Sequence, residues 1–566
     1  MPTTPAEDRA TRWAPWMASP RAAWVLLGLA TLARVVYLAW GCPYTLIEDE
    51  AHYWEWSRHL ALSYYTKGPG VAWIIGASTG LLGDSEFAVR LPAALSSAVA
   101  GAFLVLLTRR AVQDPRAPLV ALACWLIAPA FQTLGLTMTI DGPYLACWAI
   151  AAWAARVAII DRRPSGWAAL GIAIGAGALC KYTILLALPG PLLLAAISPP
   201  PPGTRGRTLL GMACGLLLFL VTISPIIIWN QQEGWPTIRH LLGHLGLQGG
   251  DMPVTQGAGE GTLWHYNPLW TLGLIGTQLA LVGPVLILAA MGVRDSWVTR
   301  RAQPGQWQGD RLLIAISLPI LLFYLAVSFV AEPEGNWPLA GFVALLPLAA
   351  RRVVAGLEVW HAKLIAWRAL PAPRPRAGLF VRRPETPTQA LWYAAVGLGL
   401  AVALVVPRLD LLAQLPGVGP RIPVHRFTGA DVMASHVEEL RQTLQKQTGS
   451  EPFIMATHYG RASQLAFYLP GRPTVLCSSS LMREGRRTQY DYWPATNPAA
   501  APGLLGRPAV VVGSTLEEWQ QVFDRVTLVG TLRGDGKRHR PAYLAYGFKG
   551  FPAGGLRNLP DSHPPD

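Results

Sequence analysis

Only 14% of the 566 residues are charged and 52% are hydrophobic, against about 25% charged in an ordinary soluble domain, which excludes a soluble globular chain. The formal charge of +14 could suggest a nucleic-acid partner, but the basic residues lie in short loops between apolar runs and no nucleic-acid motif accompanies them, so that partner is excluded. The six cysteines show neither C-x-x-C nor metal-ligand spacing, which excludes a disulfide framework and a structural zinc site.

The first apolar run, about 22–40, is too long for the core of a cleaved signal peptide and reads as an anchor. Arg9, Arg12 and Arg21 ahead of it place the N-terminus in the cytoplasm. An outer loop, 41–87, follows. It opens with Glu48-Asp49-Glu50 and the aromatic run around Tyr53, Trp54 and Trp56. Carboxylates at a membrane boundary are costly to desolvate, so they ask for a chemical reason. Read as a helix, Asp49, Tyr53 and Trp56 share one face and offer a sugar-sized ligand an acid and two rings. Lys67 then sits before Gly68-Pro69-Gly70, and a short apolar piece at 71–83 reads as an interfacial or re-entrant helix.

Further apolar runs fall at about 88–108, 117–131, 142–160, 166–180, 183–198, 208–228, 268–291, 311–330, 337–350 and 391–406. Alternation puts Arg109-Arg110 to Arg116, Asp161-Arg162-Arg163, Arg205 to Arg207, Arg294 to Arg311 and Arg351 to Arg383 on the cytoplasmic side. The opposite side receives Gln132 to Asp141, Lys181, Trp229 to Asn267 and Glu332 to Trp337. Residues 353–390 read as an interfacial linker. Beyond 406 the composition changes to an amphipathic helix at Gly429–Gln447, strand-like runs at 453–457, 474–477, 510–513 and 526–529, and a helix near 516–523. The expected fold is a polytopic α-helical membrane protein of about 11–13 transmembrane helices, residues 1–406, with an extracytoplasmic α/β domain at 407–566.

Lys67 on its rigid turn suits an anionic lipid head: the ammonium meets a phosphate while the lipid tail continues into the bilayer. Arg58 is a second cation of this loop. Asp141, ahead of Gly142-Pro143, is a further acid at an outer boundary, with a helix-start role as its plain alternative. His52, His240, His244 and His265 lack H-x-x-x-H spacing with a carboxylate partner, although His240 and His244 share a face. They read as solvated side chains, with a divalent metal as the alternative; no other cofactor is implied.

The segments Asp49-Glu50-Ala51-His52-Tyr53-Trp54, Tyr64-Tyr65-Thr66-Lys67-Gly68-Pro69 and Gly83-Asp84-Ser85-Glu86-Phe87 resemble the first outer loop of glycosyltransferase families 39 and 83. These are GT-C enzymes related to protein O-mannosyltransferases and to the lipid A aminoarabinose transferase. The likeness continues through Thr139-Ile140-Asp141, Lys181-Tyr182-Thr183, Trp229-Asn230, Asn336-Trp337-Pro338 and Leu465 to Leu469. The resemblance implies that Asp49 is the catalytic carboxylate, that Asp141 is a second acid, and that Lys67 binds the phosphate of a polyprenyl-phosphate-linked sugar donor. Glu50 is a further candidate acid, and Arg58 or another cation would assist Lys67 electrostatically. Tyr53, Trp54 and Trp56 would line the sugar cavity. Thr66 and Gly68 depart from the pattern, where the aminoarabinose branch has an acid and relatives have proline; this weighs against an aminoarabinose donor and against a metal bound by that acid.

The expected activity is transfer of the sugar, with inversion, to an envelope acceptor (glycolipid, polysaccharide or protein) at the outer face of the inner or plasma membrane. A transporter or flippase of lipid-linked sugars is the alternative. Transporters tend to carry internal repeats and mid-membrane charges, whereas here there is no repeat and the charges gather at one face.

Overall fold

The computed structural model describes residues 17, 19–244, 266–368, 387–417, 419–422, 424–483, 485–534 and 539–556. Arg9, Arg12, the 245–265 loop with His265, and the centre of the predicted linker, 369–386, lie outside them. The chain divides into two compact units. One comprises Met1–Gly41, Arg90–Ile228 and Thr255–Pro407; the other comprises Cys42–Val89, Trp229–Val254 and Arg408–Asp566.

The first unit is helical and multi-pass by composition. Among the described residues, six helices are long and apolar enough to cross a membrane: Ala22–Gly41, Glu86–Ala111, Asp141–Ile159, Pro202–Gln232, Pro304–Val327 and Pro387–Leu412. Two bent pairs could each supply one more. Against the expected 11–13 crossings, length and composition alone support six, or up to eight, among those residues, and four shorter apolar helices accompany them. Three predicted runs form the shorter apolar helices Ala117–Ile127, Ser165–Cys180 and Tyr182–Ile197, each bounded or interrupted by local chemistry. Ala128-Pro129 ends the first, an extended Lys181 ends the second, and Pro189 and Pro191 interrupt the third, whose start is a 3-10 turn.

The run read as one span at 268–291 is instead broken by 100° between Pro268–Val282 and Pro284–Thr299. Gly283 adopts φ +67° there, a left-handed conformation that costs glycine little, and Pro284 cannot continue the helix's hydrogen bonds. A second bend, of 53°, separates Trp337–Val343 from Leu346–Val359 at Ala344-Leu345. The predicted linker starts as helix, since Leu346–Arg368 runs straight through its first residues.

The alanine-rich helix Asp141–Ile159 is buried on most sides, and small side chains let its neighbours approach. A close approach in this unit is at Gly171, where an added Cβ would fall 1.9 Å from the carbonyl oxygen of Gly215. Backbone therefore meets backbone between Ser165–Cys180 and the helix Arg205–Gln232. The arginine loops expected on one side do adjoin: Arg110 pairs with Asp161, Arg116 with Glu358, Arg351 with Asp310 at 2.7 Å and Arg352 with Asp295 at 3.1 Å.

In the second unit a five-stranded sheet runs β2-β1-β3-β5-β4, with β1 Phe453–Ala456, β2 Leu476–Cys477, β3 Ala509–Val512, β4 Phe523–Thr531 and β5 Pro541–Phe548. The first three strands are parallel, and β5 pairs antiparallel with β3 and β4. Phe453, Met455, Val511, Trp519, Phe523 and Phe548 fill its core. The amphipathic helix forms at Ala430–Thr448. Helix Tyr459–Tyr468 and strand β5 were not anticipated. The tail folds together with the outer loop Cys42–Val89, whose aromatic side chains need cover: Trp54 packs on Phe467, Tyr64 on Trp493 and Tyr65 on Tyr492.

Candidate active site

Helix Glu48–Arg58 begins with three acids, which its positive N-terminal end favours, and each acid has its own partner. Glu50 is fully buried, and its carboxylate accepts the backbone N–H of Ile47 at 3.1 Å. It thus caps its own helix, and the expectation of a second reactive acid there gives way to this structural role. Glu48 pairs with Arg461 at 3.4 Å and lies 3.6 Å from the imidazole of His458. Asp49 lies 3.5 Å from the hydroxyl of Tyr459, a long contact for two oxygens. Burial, then the Asp49 charge, push the Tyr459 phenol up to about 12, so it keeps its proton and donates to Asp49.

The partners come from helix Tyr459–Tyr468 of the tail, about 410 residues along the chain. Glycine at 460 permits the approach, since a Cβ there would stand 2.6 Å from Cβ of Glu48. Polar contacts fix the pair: Gln464 donates to the carbonyl of Leu46 at 2.8 Å, and the N–H of Leu46 donates to the hydroxyl of Tyr468 at 2.7 Å. His52 lies in the same seam. Trp56 donates to its Nε2 at 3.1 Å, which makes Nδ1 the protonated nitrogen, donating to Ser463 Oγ at 3.2 Å. Ser463 in turn donates to the carbonyl of Tyr459 at 2.8 Å. Burial pushes the imidazole of His52 down to about 3, so it is neutral; with both nitrogens engaged it is a fixed strut and not a base.

The other predicted residues fare differently. Trp54 and Trp56 have no exposed surface to offer a sugar, at 0% and 1%. Trp54 donates to Asp84 at 2.7 Å, and Trp56 stacks on Tyr64 with centroids 4.3 Å apart. Their expected place on the cavity wall is corrected to packing, while Tyr53 remains half-buried. Arg58 binds Glu55 at 3.1 Å and the carbonyl of Arg472 at 3.0 Å, and lies over the Trp54 ring. Those bonds hold the loop to the tail.

Lys67 is half-buried on a closed turn whose carbonyl accepts Tyr64 N–H at 3.1 Å and Ser63 Oγ at 3.3 Å. The turn is tied to the tail by Tyr65 N–H donating to Gln489 at 2.6 Å, and it leads directly into helix Gly70–Leu82. His240, expected to be solvated, is buried against the Tyr65 ring. Among the described residues no three His, Cys, Asp or Glu side chains group as metal ligands.

Within the membrane unit, Asp141 is buried with both oxygens engaged. Lys181 Nζ meets Oδ1 at 2.8 Å and Asn336 Nδ2 donates to Oδ2 at 2.7 Å. Lys181 also lies 5.4 Å from the centre of the Tyr144 ring. All three positions of this network were assigned to the same side from sequence. Tyr459, His458, Arg461 and Arg486 of the tail were not singled out; the only signal near them was the Leu465–Leu469 segment.

Residues 66–229 match the family model described as dolichyl-phosphate-mannose-protein mannosyltransferase, a stretch that holds Lys67 and Asp141 and begins after Asp49. The chain is 27% identical over 329 residues to the lipid A galacturonosyltransferase RgtD of Rhizobium johnstonii, covering 58% of this chain and 64% of that one. It therefore spans a little under two thirds of that relative's length. It is also 27% identical over 467 residues to the undecaprenyl phosphate-alpha-4-amino-4-deoxy-L-arabinose arabinosyl transferase of Pseudomonas aeruginosa, covering 74% of this chain and 76% of the other. Among solved structures, ArnT from Cupriavidus metallidurans bound to undecaprenyl phosphate superposes with a TM-score of 0.60 at 18% identity, over 93% of this chain and 98% of that one. The apo oligosaccharyltransferase of Archaeoglobus fulgidus gives 0.51 at 13% identity, over 88% and 70%. The chain has the fold of these membrane glycosyltransferases, a polytopic helical body with a C-terminal domain.

Proposed function

We infer that the chain is a membrane glycosyltransferase that moves a sugar from a polyprenyl-phosphate donor to a lipid acceptor. The carrying observation is Asp49, set at the positive end of helix Glu48–Arg58 with Tyr459 as its donor. The similarity to transferases named for undecaprenyl-phosphate donors and lipid A supports the substrate classes. Asp49 takes the proton from the attacking acceptor hydroxyl. Lys67 meets the donor phosphate, whose negative charge grows as the glycosidic bond breaks, while helix Gly70–Leu82 follows the lipid towards the bilayer. With one base and no enzyme nucleophile, the sugar is transferred in a single displacement with inversion.

The test is Asp49→Asn, nearly isosteric and lacking only the charge, assayed as purified protein with radiolabelled undecaprenyl-phosphate sugars and lipid A. General-base catalysis supplies about 10²–10⁴-fold, so transfer should fall at least a hundredfold with unchanged folding. Near-normal turnover would remove Asp49 from the chemistry.

A further inference from the structure

Three guanidiniums of the tail gather about His458. Burial holds its imidazole down at about 4 against the pull of Glu48, and Arg540, Arg486 and Arg461 each add to the opposition to its protonation. Arg461 is engaged with Glu48 and donates to Gln464 at 2.8 Å. Arg486 is different. It is exposed, its Cζ stands 5.9 Å from the centre of the Tyr459 ring, and no ion pair is present for it among the described residues. That ring carries the hydroxyl that meets Asp49, so a single aromatic side chain separates the cation from the carboxylate.

The loop bearing Arg486 is anchored on both sides. Its own N–H donates to Ser479 Oγ at 3.4 Å, Thr488 N–H donates to Asp491 at 2.7 Å, and Gln489 holds the Lys67 turn through Tyr65. Arg487 beside it is exposed too, with Asp491 as its acidic neighbour. A cation held in place by a structured loop and an aromatic face has lost much of its freedom before any ligand arrives. Its planar fork then suits the two oxygens of a phosphate or carboxylate.

We propose that Arg486 anchors a subsite for an anionic group of the acceptor, a phosphate or carboxylate, and so brings the acceptor's hydroxyl to Asp49. This rests on Asp49 being the base. The donor is the other source of such an anion. The Lys67 turn runs within three residues into the apolar helix Gly70–Leu82, as a lipid-borne phosphate requires, whereas the Arg486 loop belongs to the sheet domain and continues through the 3-10 turn Gln489–Tyr492. Two anions on one enzyme, one leaving and one merely held, call for two separate cations. Arg486 serves the one that does not react.

The experiment is labelling of Arg486 by phenylglyoxal in the purified full-length protein, followed by mass spectrometry. Three probes are compared: monophosphoryl lipid A, the same glycolipid without its phosphate, and undecaprenyl phosphate. The phosphorylated glycolipid should slow labelling of Arg486 by about tenfold, the scale of one charge-assisted hydrogen bond, and the other two should not. Protection by undecaprenyl phosphate would reassign the cation to the donor, and protection by none would end the proposal. Labelling needs no turnover and is repeated in Asp49→Asn. Loss of the catalytic reading shows up in transfer and loss of the acceptor subsite in protection, so the two failures are distinguishable.

Discussion

Three adjacent acids at the head of one helix have three fates, one set by the helix's own backbone and two by the tail. Glu48 is neutralised by Arg461, Glu50 is spent on the backbone, and Asp49 faces a protonated tyrosine. In the proposed reaction the carboxylate of Asp49 accepts a proton along one direction, and there the hydroxyl of Tyr459 serves as a positioning group. Tyr459→Phe should lower kcat by about tenfold, near the worth of one hydrogen bond to a charged group, with donor KM little changed. In an Asp49→Asn background the same substitution should add almost nothing, since the two act as a unit. Equal losses in both backgrounds would give Tyr459 a role independent of Asp49. Asp49 could be singled out as a candidate because an acid beside an apolar run stands out in a charge-poor chain. Its partner could not be, because 410 residues separate them and no local period encodes such a contact. For the same reason the tryptophan face was misread: helical spacing tells which residues share a side, and the tail decides which side is covered.

At the level of elements, apolar runs predicted where helices lie far better than how far each one goes. Gly283-Pro284 was visible in the sequence, yet hydropathy averages across it and the 100° bend appears only when the backbone is followed. The network of Asp141, Lys181 and Asn336 similarly joins three segments that the sequence placed on one side but did not bring together. A carboxylate with both oxygens engaged inside a helical unit is held as an ion pair, which favours a structural reading of Asp141 over that of a free second base. Breaking a buried pair leaves an uncompensated charge, which costs about 3–5 kcal/mol. Lys181→Met should therefore lower the thermal midpoint of the purified protein sharply. The double variant Asp141→Asn with Lys181→Met should recover much of the loss, because the introduced amide would still accept from Asn336 and no charge would remain buried. A double variant no more stable than the single one would show that the lysine matters through packing alone.

For the whole molecule, the arginines do two things at once. Their positions in the chain set the expected orientation through the positive-inside bias, and their side chains tie the loops together. Arg351 reaches both Asp310 and Ser296, and Arg116 bridges Asp114 and Glu358. The loops assigned to one side thus meet one another, a check independent of the bias that suggested it. Which side faces the cytoplasm is a prediction, and the chemistry depends on it: a polyprenyl-linked donor used at the outer face requires Asp49, Lys67 and the tail outside. A cysteine placed at Ser165, exposed at a helix start, and one placed at Lys446, exposed on helix Ala430–Thr448, discriminate the two orientations. Half-buried Cys42 is replaced beforehand, while Cys477 is buried. In cells with a permeabilised outer envelope, Lys446→Cys should react with an impermeant thiol reagent, and Ser165→Cys should react only once the inner membrane is opened. The reverse pattern would put Asp49 and Lys67 on the cytoplasmic side, and transfer from an outward-facing lipid-linked sugar would have to be abandoned.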